Sequence, residues 1–320
     1  MKKRIVKITL LLLLFSIVCN VYSAKREEVH RVFKPRQRIS IRTISGDCII
    51  KKGTENRIVV DLLINVKPEG AVEPIFSERD GLLKITERWS ASSSSGNVLW
   101  TLTVPQKTEI VFKTASGDLS IDDINSLIEV RTASGDVDIT ACRGEFKIRT
   151  ASGEVTIEDS YGEFEVSTAS GNIKSSNIEG YVELTTASGD IDVSDSKGSF
   201  EFSCASGDIS VFDVVFDGES SFSTASGRID VMVSESVSHD LELSTASGNI
   251  RLNYRGCPIK GYFEFIVRKN SGRIISQVKF DDVEESMRGR RSYIKKSFTR
   301  GDKNPRICLR SESGKIILKK

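Results

Sequence analysis

The chain has 320 residues, of which 46 are basic and 44 are acidic, giving a formal net charge of +2. This balance argues against a nucleic-acid-binding protein, which carries a clear excess of basic residues, and against strong attraction to anionic membranes. The two histidines, His30 and His239, lie in no recognisable catalytic or metal motif, and no Cys-x-x-Cys pair is present. We therefore predict no catalytic residue, no cofactor and no metal centre.

Residues 1–23 have the pattern of a secretory signal peptide. Basic residues at positions 2, 3, 4 and 7 precede an apolar run over residues 8–18, and Val21-Tyr22-Ser23 forms a small-residue cleavage site. No later segment is apolar enough to span a bilayer, so we expect an exported protein that is periplasmic, outer-surface or secreted. Val18 is bulkier than lipoprotein processing usually accepts, which argues against a lipid anchor at Cys19.

Residues 24–110 are predicted to be a less regular β region. The runs over residues 58–66, 82–89 and 98–104 are rich in β-branched and aliphatic residues, and the segment Ser90–Gly96 reads as a turn. An uncapped stack of strands exposes a sheet edge that invites aggregation. We therefore expect this region to start and cap the repeat structure that follows.

Residues 111–254 contain a regular repeat. Its centre is Thr-Ala-Ser-Gly followed by a polar residue and an aliphatic one, and the glycines at 117, 135, 153, 171, 189 and 207 are 18 residues apart. The spacing then lengthens to 20 at Gly227 and 21 at Gly248, and degenerate copies surround Gly46, Gly272 and Gly314. A fixed period of this length indicates a repeat architecture.

Within one repeat, apolar residues alternate with polar ones on either side of a Ser-Gly turn, which indicates two strands. Glycine is expected in the turn because it adopts backbone conformations that other residues avoid. The same residue types recur in each column of the repeat. We therefore predict an all-β fold consisting of a single parallel β-solenoid, right-handed β-helix-like, with 18-residue coils. A run of antiparallel hairpins is the competing fold.

Residues 255–320 are predicted to add C-terminal coils with a basic insertion loop at 287–306. Five residues of this loop are candidates for contact with an acidic envelope polymer: Arg288, Arg290, Arg291, Lys295 and Lys296. A solvated insertion is the alternative interpretation.

The repeat resembles that of the bacterial putative-adhesin β-strand-repeat family, a domain of unknown function on exported proteins. The resemblance extends over the opening RISIRTISGDCII (residues 38–50), the segment 102–121 and the closing ICLRSESGKIILKK (residues 307–320). It implies the fold and an adhesin-like role, and it supplies no catalytic residues.

The residue after each Ser-Gly forms a polar column that includes Asp118, Asp136, Glu154, Asn172, Asp190 and Asp208. Stacked carboxylates could bind calcium, but calcium-binding β-rolls offer several oxygen ligands per turn. We expect these side chains to bond the turn backbone instead. The threonine column has the parity of the apolar columns and is expected to point inward.

The five cysteines that follow the signal peptide are Cys48, Cys142, Cys204, Cys257 and Cys308, and they form no disulfide framework. Cys48 and Cys204 are expected to fill the core, and a single disulfide remains open.

These features predict a non-enzymatic, adhesin-like binding or structural module of the cell envelope or surface. Its partner would be an envelope polymer or a protein surface. A carbohydrate-active β-helix enzyme is the first alternative, with Asp213, Asp217 and Asp240 as the carboxylates to inspect. The second is an envelope-sensing partner of a membrane complex.

Overall fold

The computed structural model describes residues 26–90 and 94–320, and these residues form 29 β-strands without an α-helix. No helix that could cross a bilayer occurs within those ranges. The predicted signal peptide, residues 1–23, lies outside the described residues.

The strands differ in length between the two ends and the middle of the chain. The N-terminal strands are β1 (Glu27–Phe33), β2 (Arg38–Arg42), β3 (Asp47–Lys52), β4 (Ile58–Lys67), β5 (Val72–Arg79), β6 (Leu82–Trp89) and β7 (Ser95–Val104). The middle strands are β8 (Glu109–Lys113), β9 (Leu119–Asp122), β10 (Asn125–Thr132), β11 (Val137–Thr140), β12 (Arg143–Thr150), β13 (Val155–Glu158), β14 (Tyr161–Thr168), β15 (Ile173–Ser176), β16 (Glu179–Thr186), β17 (Ile191–Ser194), β18 (Lys197–Cys204), β19 (Ile209–Phe216), β20 (Ser220–Thr224), β21 (Ile229–Val233), β22 (Leu241–Thr245) and β23 (Ile250–Asn253). The C-terminal strands are β24 (Gly261–Arg268), β25 (Arg273–Ser276), β26 (Asp282–Arg288), β27 (Arg291–Arg300), β28 (Arg306–Ser311) and β29 (Lys315–Lys319).

Each regular coil contributes one strand to each of two β-sheets, called sheet A and sheet B, and successive coils stack along both sheets. Sheet A has the order β1-β4-β7-β3-β9-β11-β13-β15-β17-β19-β21-β23-β29-β25. Sheet B has the order β5-β6-β2-β8-β10-β12-β14-β16-β18-β20-β22-β28-β24-β27-β26. From β10 to β18 the sheet B strands have eight residues and the sheet A strands have four. The TASG turn connects each sheet B strand to the sheet A strand of the same coil.

Neighbouring coils pair in parallel with a register of 18 residues. Thr132 lies beside Thr150, which lies beside Thr168, and Val137 lies beside Val155. The predicted single parallel β-solenoid with 18-residue coils is thus confirmed. The competing antiparallel hairpin array is wrong for the repeat block, because a hairpin would pair the two strands on either side of one Ser-Gly turn.

The core is a set of like-on-like columns between the two sheets. Phe146 stacks on Phe164 with ring centroids 4.6 Å apart, and Phe202 stacks on Phe222 at 4.7 Å. All four rings are buried, as are the aliphatic residues that continue their columns. Cys48 and Cys204 are also buried, as expected, and the five cysteines of the described chain are free thiols.

The threonine column points inward and closes the turns. In five successive coils the threonine Oγ1 accepts a hydrogen bond from the backbone N–H of the turn glycine three residues later, at 2.9–3.1 Å. Thr168 and Thr186 are buried. A buried hydroxyl therefore satisfies a turn N–H that would otherwise lack a partner.

The reason for glycine in the Ser-Gly turn differs from the one we expected. Gly135 and Gly153 lie outside the left-handed region of backbone conformation. A Cβ at Gly153 would lie 1.9 Å from the carbonyl oxygen of Gly135 in the neighbouring coil. The requirement is therefore one of close stacking. Left-handed backbone occurs at the other turn of the coil, at Asp123, Ala141, Asp159, Asn177, Asp195 and Asp213.

Both ends of the solenoid contain a coil that is out of chain order. At the N-terminal end, β2 and β3 lie between β6–β7 and β8–β9. At the C-terminal end, the last strands of the chain, β28 and β29, lie between β22–β23 and β24–β25. Antiparallel strands complete each end, with β1, β4 and β5 at one and β26 and β27 at the other.

The segment expected to be a basic insertion loop is mainly a β-hairpin. Strands β26 and β27 pair antiparallel around Gly289 and Arg290 and extend sheet B beyond β24. Tyr293 and Phe298 of β27 are buried, but they are five residues apart and lie on opposite sides of the strand, so no simple alternation marks this strand in the sequence. The division of the chain at residues 110 and 254 stays a prediction.

Candidate binding groove on sheet B

The outer face of sheet B carries polar columns whose chemistry changes along the stack. In one column the strand pairing aligns Glu165, Glu183 and Glu201. The adjacent column is a track of hydroxyls formed by Ser167, Thr185, Ser203, Ser223 and Ser244. At the N-terminal side the same column is basic, with Arg42, Lys113, Arg131 and Arg149. The central coils therefore present an acidic, hydroxyl-rich surface.

A groove of about 660 Å³ opens on this face where the repeat spacing lengthens. Strand β18 has eight residues, whereas β20 and β22 have five each, because the inserted residues leave the sheet before these strands begin. The groove is lined by Tyr181, Ser199, Phe200, Glu201, Glu219, Ser220, Ser221, Asp240, Leu241, Glu242, Arg306 and Cys308. Strand β28, contributed by the end of the chain, forms one side of it.

Tyr181 is the aromatic residue exposed at the groove. Its side chain is 40% exposed, and its hydroxyl donates a hydrogen bond to Glu201 Oε2 at 3.2 Å. Desolvation, this hydrogen bond and the charges of the neighbouring glutamates raise the pKa of Tyr181. The Tyr181 ring is thus held beside the Glu201 carboxylate. The ring offers an apolar face and the carboxylate offers hydrogen-bond acceptors, a combination that suits binding of an amphipathic ligand.

Four carboxylates line the groove, and they face a single guanidinium. The carboxylates belong to Glu201, Glu219, Asp240 and Glu242. Asp240 Oδ1 accepts a hydrogen bond from the backbone N–H of Arg306 at 2.7 Å, which ties the lengthened coil to β28. The excess of negative charge favours an uncharged or cationic ligand over an anionic one.

One end of the groove is fixed by an ion cluster around Glu264. Its carboxylate lies 3.2 Å from Lys295 Nζ and 3.3 Å from Arg306 Nη2, and it accepts a hydrogen bond from Tyr262. Partial desolvation raises the pKa of Glu264, but the hydrogen bond and charge of Lys295 and the charge of Arg306 outweigh it and lower the pKa overall. The cluster stays ionised at neutral pH and fixes the Arg306 side chain.

Cys308 lines the groove but is not an activated nucleophile. Burial and the nearby charges of Glu264 and Glu242 raise the pKa of its thiol to about 11. A reactive cysteine requires the opposite shift, because the thiolate is the nucleophile.

The carboxylates singled out for an enzyme are not gathered at one place. Asp240 lines the groove, whereas Asp213 sits at a left-handed turn and pairs with Arg255. Asp217 does not line the groove. Within residues 26–90 and 94–320, no three His, Cys, Asp or Glu side chains are arranged to hold a metal ion.

The polar column after the Ser-Gly turns is used to join coils. Asp118 Oδ1 accepts a hydrogen bond from the backbone N–H of Asp136 at 2.9 Å, and Asp136 Oδ1 accepts one from Glu154 at 2.7 Å. Asn172 Oδ1 likewise accepts a hydrogen bond from the backbone N–H of Asp190, and Asp190 Oδ1 accepts one from the backbone N–H of Asp208. These oxygens are engaged by backbone N–H groups of the next coil, which is the geometry expected for a structural role.

The five basic residues of the hairpin are distributed over different surroundings. Arg291 pairs with Glu312 at 2.9 Å, and Lys295 pairs with Glu264 and Glu284. The Arg288 guanidinium lies 5.8 Å from the centre of the Tyr293 ring, and Lys296 Nζ lies 5.1 Å from that of Phe280. Lys295 and Lys296 face opposite sides of their strand. Contact of this segment with an acidic polymer stays a prediction.

Sequence reasoning identified the lengthened coils and Asp240 but missed Tyr181, Glu201 and Arg306. One signal was present for Tyr181. In its outward-facing column the neighbours are Glu145, Glu163 and Ser199, so an aromatic residue there serves no core. Arg306 carried no local signal, because β28 reaches the groove only through the out-of-order stacking.

Solved structures of similar proteins share low sequence identity with this chain. A "putative adhesin" from Parabacteroides distasonis is 11% identical, with 92% of this chain and 98% of that chain covered and a TM-score of 0.44. A "putative lipid binding protein" from the same species is 15% identical, with 92% and 97% covered and a TM-score of 0.41. A "putative adhesin" from Bacteroides fragilis is 10% identical, with 92% and 98% covered and a TM-score of 0.34.

No curated protein matches the sequence. The family model described as Toastrack DUF4097 matches residues 36–260, a span that contains the whole 18-residue repeat block. The family resemblance found in the repeat is thereby confirmed, and the chain belongs to the Toastrack DUF4097 family.

Proposed function

We propose that the protein is a non-enzymatic, exported β-solenoid that acts as an adhesin-like binding or structural module of the cell envelope or surface. Export rests on the signal-peptide pattern of residues 1–23. Binding rests on the open groove of sheet B, where a half-exposed tyrosine, serine hydroxyls and carboxylates line one continuous surface.

The ligand class follows from the composition of the groove. An exposed aromatic ring can stack on the apolar face of a sugar, while hydroxyls and carboxylates bond its hydroxyl groups. Four carboxylates against one guanidinium would repel a polyanion. We therefore assign the groove to an uncharged or amine-bearing polysaccharide.

The absence of turnover is part of the proposal. Glu201 is hydrogen-bonded to Tyr181 and Asp240 to the backbone of Arg306, so both carboxylates already have partners. Glycoside hydrolysis requires a carboxylic acid and a carboxylate placed on either side of the scissile bond. Glu201 and Asp240 are thus held in the structure, while Glu219 and Glu242 are placed to bond sugar hydroxyls, and this division supports a binding module.

The test is a binding screen of the mature chain, from Ala24, against uncharged, amine-bearing and anionic envelope polysaccharides, with product analysis on each. We expect binding of the first two classes, no shortening of any polymer, and the same affinity with calcium as with a chelator. Cleavage of a polymer would replace this proposal with the enzyme. Loss of binding with the chelator would assign a role to the Asp118–Asp208 column.

A further inference from the structure

Strand β26 ends sheet B and is exposed along its whole length. All seven of its residues are exposed, and within the described ranges it pairs with β27 alone. Its outer edge presents backbone N–H and C=O groups that can pair with a further strand. Natural sheets protect such an edge with prolines, bulges or charged side chains. Strand β26 contains no proline, and its protection rests on the charges of Asp282, Glu284, Glu285 and Arg288.

Two apolar side chains of β26 are the most exposed large hydrophobic residues of the described chain. Val283 is 59% exposed and Met287 is 67% exposed. They point to the same side of the strand, because they are four residues apart. Glu285 lies between them, and its carboxylate accepts a hydrogen bond from Lys269 Nζ at 2.6 Å, so its charge is compensated.

The sequence of this strand is complementary to itself when reversed. An antiparallel pair centred on Glu285 places Val283 opposite Met287 and Asp282 opposite Arg288, and the twofold axis generates each contact twice. It also places Glu285 opposite Glu285 of the second copy, where Lys269 of each chain compensates the like charges. Neither Asp282 nor Arg288 forms an ion pair within the described part of the chain. Asp282 Oδ1 accepts a hydrogen bond from the backbone N–H of Val283, and Arg288 lies against the Tyr293 ring, so pairing with a second copy would replace these two local contacts by ion pairs. We propose that β26 pairs with β26 of a second copy of this chain, which joins two solenoids at their C-terminal ends.

Other registers lose this complementarity. A centre at Glu284 places Val283 opposite Glu285. A centre at Ser286 pairs Glu284 with Arg288 but places Met287 opposite Glu285. The register centred on Glu285 is the one that pairs both apolar residues and both terminal charges. A pair of seven-residue strands is a small interface, so we expect a dissociation constant roughly in the micromolar to millimolar range.

Disulfide trapping tests the register. Glu285→Cys brings two thiols into direct opposition at the axis, whereas Ser286→Cys, the matched control, places them two positions apart on the other side of the strand. We expect E285C to form a covalent dimer under mild oxidation and S286C to remain at the wild-type level, which sets the background from the native cysteines. Equal trapping of both variants would overturn the register.

A charge exchange tests whether the strand pair holds the dimer together. In sedimentation analysis, Val283→Lys and Met287→Glu should each weaken the wild-type dimer about tenfold, since each places a charge opposite an apolar residue. The double variant should regain the affinity, because opposite charges then meet across the axis. A wild-type chain that stays monomeric up to about 1 mM, or a dimer that neither variant weakens, would overturn the proposal.

Discussion

At the level of single residues, the turn glycines are explained by the distance to one carbonyl oxygen. From Gly117 to Gly248, an added Cβ would lie 1.8–2.0 Å from the oxygen of the glycine in the adjacent coil. Strands in a ladder are about 4.8 Å apart, and the turns stack at the same spacing as the strands. A side chain at this position would force neighbouring coils apart.

Alanine substitution of two glycines distinguishes the effect of close stacking between coils from the effect of backbone conformation. Gly153→Ala inserts a methyl group against the Gly135 carbonyl and should lower the free energy of unfolding by about 3 kcal/mol. Gly256 has φ +87° and open space around its Cβ position, so Gly256→Ala should lower it by about 1 kcal/mol, for backbone strain alone. Urea unfolding followed by circular dichroism measures both. A larger loss for G256A than for G153A would contradict the stacking explanation.

The threonine ladder predicts a stabilising substitution. Cys204 occupies the column between Thr186 and Thr224, and its thiol donates to the Gly189 carbonyl at 3.3 Å. A hydroxyl is the stronger donor and acceptor, and the flanking threonines show that a methyl group fits. Cys204→Thr should raise stability by about 0.5–1 kcal/mol.

Thermal unfolding of C204T beside Thr168→Val gives the comparison. T168V keeps the shape of the side chain but removes the acceptor for the Gly171 N–H, so its melting temperature should fall. Unchanged melting of T168V would mean that the ladder contributes shape and not hydrogen bonding.

At the level of elements, the position of the last strand pair governs the C-terminal end. Leu309 of β28 is buried and lies beside Leu243 of β22 on one side and Phe265 of β24 on the other. Strands β22 and β24 therefore do not pair with each other, because β28, which follows both in the chain, lies between them. Strands β24 and β25 therefore depend on β28 and β29 for their place in the stack.

Leu309→Ala should destabilise both neighbouring strands. The cavity should cost about 2–5 kcal/mol, and hydrogen-exchange protection should fall in β22 and β24 together. Ile317→Ala is the control, because Ile317 faces outward on sheet A and is partly exposed. Loss of protection in β24 without any change in β22 would contradict the stacking order.

The hairpin formed by β26 and β27 should loosen at acidic pH. A hydrogen bond from the backbone N–H of Thr299, at 2.9 Å, and the charge of Arg300 lower the pKa of Asp281. Because the pKa of Asp281 is lower in the folded chain than in the unfolded chain, its ionised carboxylate stabilises the hairpin. This stabilisation is complete at pH values above the ordinary carboxyl pKa, about 3.9, and it is lost as the pH falls through the lowered pKa.

Exchange of the Thr299 amide, followed by NMR against pH, checks this prediction. Protection should fall below about pH 4 in the wild type, while Asp281→Asn should show weaker protection with little pH dependence. An Asp281 carboxyl that titrates at its ordinary value would contradict it.

The period of the sequence predicts the interior of this fold and not its ends. Columns such as Phe146–Phe164 follow from local alternation and an 18-residue repeat, which also fix the register. The motifs around Gly46 and Gly314 fit beside any coil, so the sequence does not show that β28 lies between β22 and β24. Arg306 could not be placed in the groove for the same reason, whereas the spacing change did identify Asp240.

At the level of the whole molecule, the outer face of sheet B is a surface on which a ligand can lie across several coils. One column of sheet B is basic toward its N-terminal side, with Arg42, Lys113, Arg131 and Arg149, and carries hydroxyls in the central coils, where carboxylates lie beside the Tyr181 ring. The proposed pairing of β26 would place two such grooves on one particle. Bivalent attachment to a polymer strengthens binding without any new contact.

The measurement that tests the central claim most directly is calorimetric titration of the polysaccharide selected in the screen into Tyr181→Ala and Tyr161→Ala. Both tyrosines are exposed, at 40% and 53%, but only Tyr181 lines the groove. We predict that Y181A binds about tenfold more weakly, for the loss of one stacked ring, and that Y161A binds like the wild type. Equal affinity of the two variants would show that the groove is not the binding site.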